Sequence, residues 1–239
     1  MVPGIDTPLS SIFVLCKDTI VKRLPNFCPL LPEVNALEFV RSHTYIPVSK
    51  LRRYITDKNR VEGYLMMEKI EGTPLNRLWD NLPGDTRCRI VSTLRDYTCQ
   101  LHEASGAYNC PSPGPIAENK PQACVGPWML FGDIPTSPFP TCKDLMQFIN
   151  KNSHQPLNVS QPLVLTHMDL TMRNIVVGPD WKVWLVDWEW SGFYPPWFEY
   201  IAMISATVND NEPASWQECI PEVAGDWSKE KIMLGFWRF

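Results

Sequence analysis

His167-Met168-Asp169-Leu170-Thr171-Met172-Arg173-Asn174 is the stretch that decides the fold of this chain, together with Val186-Asp187-Trp188-Glu189. Asp169 lies two residues after His167 and five before Asn174. Phosphoryl transfer from ATP needs one carboxylate to orient a hydroxyl, and an amide with a second carboxylate to hold Mg²⁺. The spacing therefore predicts Asp169 as a catalytic residue and Asn174 and Asp187 as metal ligands.

The segment between Asn174 and Asp187 strengthens this interpretation. Residues 175–177 and 183–186 are predicted to form a hairpin around residues 178–182. A hairpin returns its two ends to one place, so that both side chains could reach the same ion. The alternative is that the aspartates and the asparagine cap a helix and end a strand, positions in which these residues are frequent. His167 is predicted to be a structural hydrogen-bond partner and not an acid-base group.

Composition excludes several classes of protein. The 239 residues are 44% hydrophobic and carry a formal net charge of −4. Lys and Arg are scattered and do not alternate with aromatic residues, so no nucleic-acid partner is expected. The 8 cysteines form neither a Cys-x-x-Cys nor a zinc spacing, and the N-terminus does not resemble a signal peptide. With no apolar run as long as a membrane span, the sequence predicts a cytoplasmic protein without a membrane partner.

Periodicity predicts strands at the N-terminal end and mostly helices after them. Residues 12–16 and 19–24 have the pattern of a hairpin, and residues 32–43 that of a helix with Pro and Glu in its first turn. The Pro-, Gly- and Ser-rich residues 106–140 are expected to be an ordered excursion over the surface, since long structureless loops are uncommon. Further strands are predicted at 48–55, 64–70 and 162–166, and helices at 85–104, 141–150, 199–208 and 229–237.

The motif His-x-Asp-x-x-x-x-Asn, followed by Asp-Trp-Glu-Trp-Ser-Gly-Phe-Tyr-Pro-Pro at 187–196, resembles the aminoglycoside phosphotransferase and choline kinase superfamily, especially its fungal branch. The likeness extends over 20–200, with agreeing stretches at 33–40, 43–48, 67–75 and 197–200. The resemblance implies an α+β, two-lobed, protein-kinase-like fold. Residues 1–70 would form a small antiparallel-sheet N-lobe, and 71–239 a mainly helical C-lobe.

The resemblance also implies roles for residues of the N-lobe. Lys22 would contact the nucleotide phosphates, and Glu33 would be its ion-pair partner. Backbone groups of Glu68 and Ile70 would bind adenine in the connector between the lobes. The alternatives are an exposed strand lysine at position 22, a glutamate that complements the helix dipole at position 33, and a buried strand end at residues 67–70.

The implied activity is transfer of the γ-phosphoryl group of ATP to a hydroxyl of a small molecule, with ATP and Mg²⁺ as cofactors. The absence of Phe-Gly after Asp187 disfavours a protein kinase. No glycine-rich loop precedes Lys22, so a weak or inactive kinase-like protein that binds a nucleotide or metabolite is the alternative. A third interpretation keeps the fold but transfers a nucleotidyl group.

The acceptor pocket is expected in the C-lobe, walled by residues 106–140 and the helices after Tyr200. Large aromatic residues there are candidate wall residues, although such residues more often belong to the core. Acidic residues in the same regions would meet a cationic substrate. The aromatic candidates are Trp128, Phe131 and Trp216, and the acidic ones are Asp133, Asp210 and Glu212. Glu199 is expected to be an internal ion-pair or hydrogen-bond partner. The sequence identifies neither the acceptor nor the oligomeric state.

Overall fold

A computed structural model describes residues 11–25, 30–56, 62–107, 112–117, 121–132 and 136–235. Its first part is a four-stranded antiparallel sheet. The strands are Ser11–Cys16 (β1), Thr19–Pro25 (β2), Leu51–Thr56 (β3) and Glu62–Glu68 (β4), in the spatial order β1-β2-β4-β3. The predicted hairpin of β1 and β2 is confirmed. β3 begins later than expected, because Val48 pairs instead with Leu185 in an isolated parallel bridge.

One face of this sheet is covered by helix α1, Leu30–His43. Along β2 the side chains alternate, with Lys22 and Leu24 buried and Arg23 exposed, as the two-residue period of a strand requires. Helix α1 packs against β3 and β4 and buries Val34 and Leu37. Full burial of such a side chain contributes about 1.5–3 kcal/mol. The helix includes the predicted residues 32–43, and Glu33 lies in its first turn, as expected.

Helix α2, Gly84–Ala104, is the central helix of the second part. Ile90, Leu94 and Leu101 recur at helical spacing and are buried, so that the predicted helix and its apolar face are confirmed. Tyr97, on the same face, donates a 3.0 Å hydrogen bond to the carbonyl of Val183. The helix therefore anchors the strands that carry the candidate site.

Two three-stranded sheets of short strands surround that site. One joins Thr73–Pro74 (β5), Ile175–Val177 (β8) and Val183–Leu185 (β9), and the other joins Gly114–Pro115 (β6), Val164–Thr166 (β7) and Gly192–Tyr194 (β10). The predicted hairpin is β8–β9, with Ile175 opposite Leu185. At Gly192 a Cβ atom would lie 2.4 Å from the carbonyl oxygen of Gly114, so the crossing of β10 and β6 requires glycine there.

The remaining helices complete the second part. The predicted helix at 141–150 begins with a capping box in which Thr141 and Asp144 exchange hydrogen bonds. The predicted helix at 199–208 is confirmed with slightly wider bounds. The helices are Trp128–Phe131 (α3), Cys142–Asn150 (α4), Trp197–Asn209 (α5), Ala214–Gln217 (α6), Ile220–Ala224 (α7) and Ser228–Leu234 (α8).

The excursion at 106–140 is partly described, at 106–107, 112–117, 121–132 and 136–140. It contains β6 and α3, and it buries Ile116, Cys124 and Phe139, so the described part is anchored in the core. The fold class is α+β, as expected. Among the helices that the structure describes, none combines the length and the apolar character needed to cross a bilayer.

Candidate active site

The loop between β7 and β8 carries the motif, and its backbone is hydrogen-bonded to Glu199 of α5. The Glu199 carboxylate accepts hydrogen bonds from the backbone N–H of His167, at 2.5 Å, and of Met168, at 3.2 Å. Met168 has a left-handed backbone, with φ of 68°. Burial raises the pKa of Glu199 to about 7, although the two N–H groups oppose this shift. Glu199 is thus the internal hydrogen-bond partner that the sequence predicted.

The ring of His167 is buried and hydrogen-bonded on both nitrogens. Nδ1 accepts from the backbone N–H of Asp169, at 3.3 Å, which places the proton on Nε2 for the 3.2 Å bond to the carbonyl of Val186. The ring centroid lies 4.4 Å from that of Trp188. Burial lowers the pKa of His167 to about 4, so the ring is neutral. This geometry agrees with a structural part for His167.

Asp169 lies near the start of this loop, and the residue is 8% exposed. The amide nitrogen of Asn174 donates to Asp169 Oδ2, at 2.7 Å, and to the Asp169 carbonyl, at 2.9 Å. Arg173 Nη2 lies 3.1 Å from both carboxylate oxygens. Burial raises the pKa of Asp169 to about 7, against the opposing effects of Arg173 and Asn174. Asp169 and Asn174 are therefore brought together as the motif predicted.

Lys22 connects the N-terminal sheet to the opposite side of the site. Its Nζ lies 2.9 Å from Glu33 Oε2, 2.5 Å from Asp187 Oδ1 and 3.0 Å from Glu189 Oε2. Lys22 is only 1% exposed. Burial alone lowers the pKa of Lys22, but the three carboxylates outweigh burial and hold that pKa above its usual value. The Lys22–Glu33 pairing is thus present, and Lys22 is not an exposed strand lysine.

The β8–β9 hairpin joins these two halves. The backbone N–H of Val186 donates to the carbonyl of Asn174, at 3.0 Å, so Asn174 and Asp187 leave the hairpin side by side. Asp187 has a left-handed backbone, with φ of 67°, so the chain changes direction there after the end of β9. The negative charge of Asp187 also contributes to the raised pKa of Asp169, after burial as the main cause.

Carboxylates near Lys22 form a group that suits a divalent cation. Oxygens of Glu33, Asp187 and Glu189 all lie within 4.8 Å of one another. Mg²⁺ is a hard ion that prefers oxygen ligands, and Lys22 shows that the cluster already attracts a positive charge. The residues present therefore fit a Mg²⁺ ion. Glu189 was not predicted as part of this cluster, although its position two residues after Asp187 was the available signal.

The predicted connector lies at the end of β4. Glu68 pairs with Thr19 in the sheet, and its backbone N–H donates to the carbonyl of Lys50, at 2.9 Å. Ile70 follows the strand and is partly exposed. Glu68 therefore belongs to the strand end, and adenine binding by the backbone of Glu68 and Ile70 stays a prediction.

The predicted wall residues belong largely to the core. Phe131 is 5% exposed and packs against Phe198, and Trp216 is fully buried against Trp79. Trp128 begins α3, and Asp133 lies outside the described residues. Each of the other two acids has a partner within the protein. Asp210 forms an ion pair with Arg173, and Glu212 accepts a 2.7 Å hydrogen bond from the backbone N–H of Met172. Arg173 was not predicted as a site residue.

Comparison with solved structures finds the same fold in aminoglycoside phosphotransferases. The GDP complex of aminoglycoside 2'-phosphotransferase-IIIa has a TM-score of 0.60 at 10% identity, covering 96% of this chain and 78% of the other. APH(2'')-Ib with ADP has a TM-score of 0.55 at 12% identity, covering 98% and 85%. APH(3'')-Id from Streptomyces rimosus, with ADP and streptomycin, has a TM-score of 0.53 at 15% identity, covering 91% and 85%. The expected kinase-like fold is confirmed.

Comparison at the level of sequence is consistent with the fold. No curated protein sequence matches the chain significantly. The profile of the family described as "Phosphotransferase enzyme family" matches residues 20–229, a range that includes Lys22, the motif at 167–174 and Asp187. A match of this extent shows that the chain belongs to the phosphotransferase enzyme family.

Proposed function

We propose that the protein transfers the γ-phosphoryl group of ATP to a hydroxyl group of a small molecule. The observation that carries this proposal is that the two ends of the β8–β9 hairpin lie side by side. One end brings Asn174 to Asp169, and the other brings Asp187 to Lys22. Phosphoryl transfer requires these groups together: a cation for the nucleotide phosphates, oxygen ligands for Mg²⁺ and a carboxylate for the attacking hydroxyl.

Each residue has a defined task in this proposal. Lys22 contacts the α- and β-phosphates, and Glu33 keeps the ammonium in place. Asn174 and Asp187 would hold Mg²⁺, with Glu189 beside them, and the ion neutralises charge on the phosphates when it is bound. Asp169 orients the acceptor hydroxyl and accepts its proton.

The nucleotide part of the proposal draws support from the similar structures, which hold GDP or ADP. Adenine would bind to the backbone of Glu68 and Ile70 at the connector, between an N-lobe of residues 1–70 and a C-lobe of residues 71–239. We also propose a cytoplasmic location, because the six described cysteines are free thiols.

The test combines binding and product analysis. Asp169→Asn is expected to reduce turnover by about 100-fold or more, the size of a general acid-base contribution, while ATP binding, measured by thermal shift with Mg²⁺, is retained. Asp96→Asn, at an exposed position of α2, is the matched control. Equal turnover in Asp169→Asn and the wild type would exclude the assigned role of Asp169.

A weak or inactive kinase-like binding protein is the second candidate. It is favoured by the described chain before Lys22, residues 11–21, which contains no glycine to form a phosphate-covering loop. If ATP causes no thermal shift with or without Mg²⁺, this alternative is preferred. Mass spectrometry of the product separates phosphoryl transfer, a gain of phosphate, from nucleotidyl transfer, a gain of AMP.

A further inference from the structure

The cationic group nearest to the Asp169 carboxylate on the exposed side of the site is the guanidinium of Arg173. Its Nη2 contacts both Asp169 oxygens at 3.1 Å, and its Nη1 is paired with Asp210, which directly follows α5. The Arg173 side chain is 43% exposed, so solvent and small molecules reach it. An acceptor that brings a hydroxyl to Asp169 must therefore approach along this guanidinium.

Among the described residues, the acids predicted to meet a cationic acceptor already have partners within the protein, although Oε2 of Glu212 is buried without one. Asp210 is paired with Arg173. Glu212 is held by the backbone N–H of Met172, and burial raises the pKa of Glu212 and so favours its neutral form. On the nucleotide side, Asp187 and Glu189 are both paired with Lys22. Arg173 is thus a partly exposed positive charge that an acceptor can meet by displacing Asp210.

We propose that Arg173 binds an anionic group of the acceptor, so that the substrate is a hydroxyl compound carrying a carboxylate or phosphate group and not an amine. This inference rests on the proposed phosphotransferase function. Arginine binds carboxylates and phosphates through a planar fork of N–H donors. In the free protein Asp210 occupies one arm of that fork. An anionic group of the substrate would replace Asp210 there, so that Arg173 Nη1 would still be paired with an anion.

The same geometry limits the size of the acceptor. One arm of the guanidinium contacts Asp169 and the other contacts Asp210. A hydroxyl placed at Asp169 and an anion placed at the Asp210 position lie on different arms of the guanidinium, so their separation is the width of that group plus the hydrogen bonds on either side of it. Sugar acids, in which hydroxyl groups lie several carbons from the carboxylate, meet this condition. An ammonium group at the same place would lie beside the guanidinium and be repelled by it.

The test uses matched sets of probes that differ mainly in charge: gluconate, glucose and glucosamine, and glycerate, glycerol and aminopropanediol. Binding to the protein saturated with Mg²⁺ and ADP is measured by thermal shift and calorimetry, and turnover by ATP consumption. We expect an acid to bind at least 10-fold more tightly than the neutral and amine members of its set. Arg173→Gln removes this preference, whereas Arg95→Gln, an exposed arginine on α2, keeps it.

Two further variants separate a binding role from a structural one. Arg173→Lys retains the charge but loses the fork, and it is expected to keep part of the preference for the acid. Asp210→Asn removes the competing carboxylate and is expected to tighten binding of the acid several-fold. No preference for an acid in either set, a preference for the amine, or an unchanged preference in Arg173→Gln would overturn the inference. Failure of Mg²⁺ and ADP to bind would instead contradict the proposed function.

Discussion

Lys22 Nζ lies 2.5 Å from Asp187 Oδ1, although the two residues are 165 positions apart in the chain. This contact joins the N-terminal sheet to the end of the β8–β9 hairpin. Glu33 and Glu189 complete the surroundings of the same ammonium group. A single buried cation therefore pairs with three carboxylates. Stability and the proposed nucleotide contact therefore involve the same residue.

Replacing Lys22 with methionine leaves this carboxylate cluster without its cation. Breaking a buried ion pair on one side costs about 3–5 kcal/mol. We expect Lys22→Met to lower the free energy of unfolding, measured in urea, by an amount of that size, and to abolish the thermal shift with ATP. Lys151→Met, at an exposed lysine, should change the free energy by less than about 0.5 kcal/mol. A loss below about 1 kcal/mol in Lys22→Met would contradict the buried pairing.

Asp187 and Glu189 are expected to differ in their effect on Mg²⁺ binding. Asp187→Asn removes a proposed ligand, so the part of the ATP-induced thermal shift that depends on Mg²⁺ should disappear. Glu189→Gln removes a neighbouring charge and should raise the Mg²⁺ concentration required for half of the shift by several-fold. The measurement is a Mg²⁺ titration at fixed ATP. If Asp187→Asn responds to Mg²⁺ at the same concentrations as the wild type, Asp187 does not hold the ion.

Glu199 is expected to position the catalytic loop. Glu199→Ala leaves the backbone N–H groups of His167 and Met168 buried without an acceptor, and each such group costs about 1–3 kcal/mol. We expect the free energy of unfolding to fall by about 2–6 kcal/mol. Turnover should fall by a larger factor than the KM for ATP rises, because Asp169 is part of this loop and would be displaced with it. Glu199→Gln, which keeps an acceptor oxygen, should lose less in both measurements, and equal losses would argue against the hydrogen-bonding explanation.

His167 makes the folded state sensitive to acid. The fold lowers the pKa of its ring from 6.5 to about 4, so the folded state prefers the neutral form. The associated stability is complete above pH 6.5 and is lost as the pH falls through 4. A shift of this size corresponds to roughly 3 kcal/mol. His167→Gln should show a flatter loss of unfolding free energy over that pH range. Parallel curves for the two proteins would contradict this assignment.

Local patterns were sufficient for most of the elements. The β1–β2 hairpin, α1 and α2 were predicted because their apolar residues recur at strand or helix spacing over many residues. The short helices α6 and α7 were missed because four or five residues do not display a helical period. Strand β10 was missed as well, because its three residues are defined by pairing with β6 and β7 and not by their own sequence.

The chain alone determined which chemical groups are available, since the spacing of Asp169, Asn174 and Asp187 can be read from the sequence, whereas the role of Lys22 was implied only by the family resemblance. Only the tertiary structure decided that Glu189 joins Lys22 and that Arg173 connects Asp169 to Asp210. These contacts depend on the left-handed turn at Asp187 and on where α5 ends. The turn and the helix end are set by packing between elements that are distant in the chain, so the spacing of neighbouring residues does not predict them.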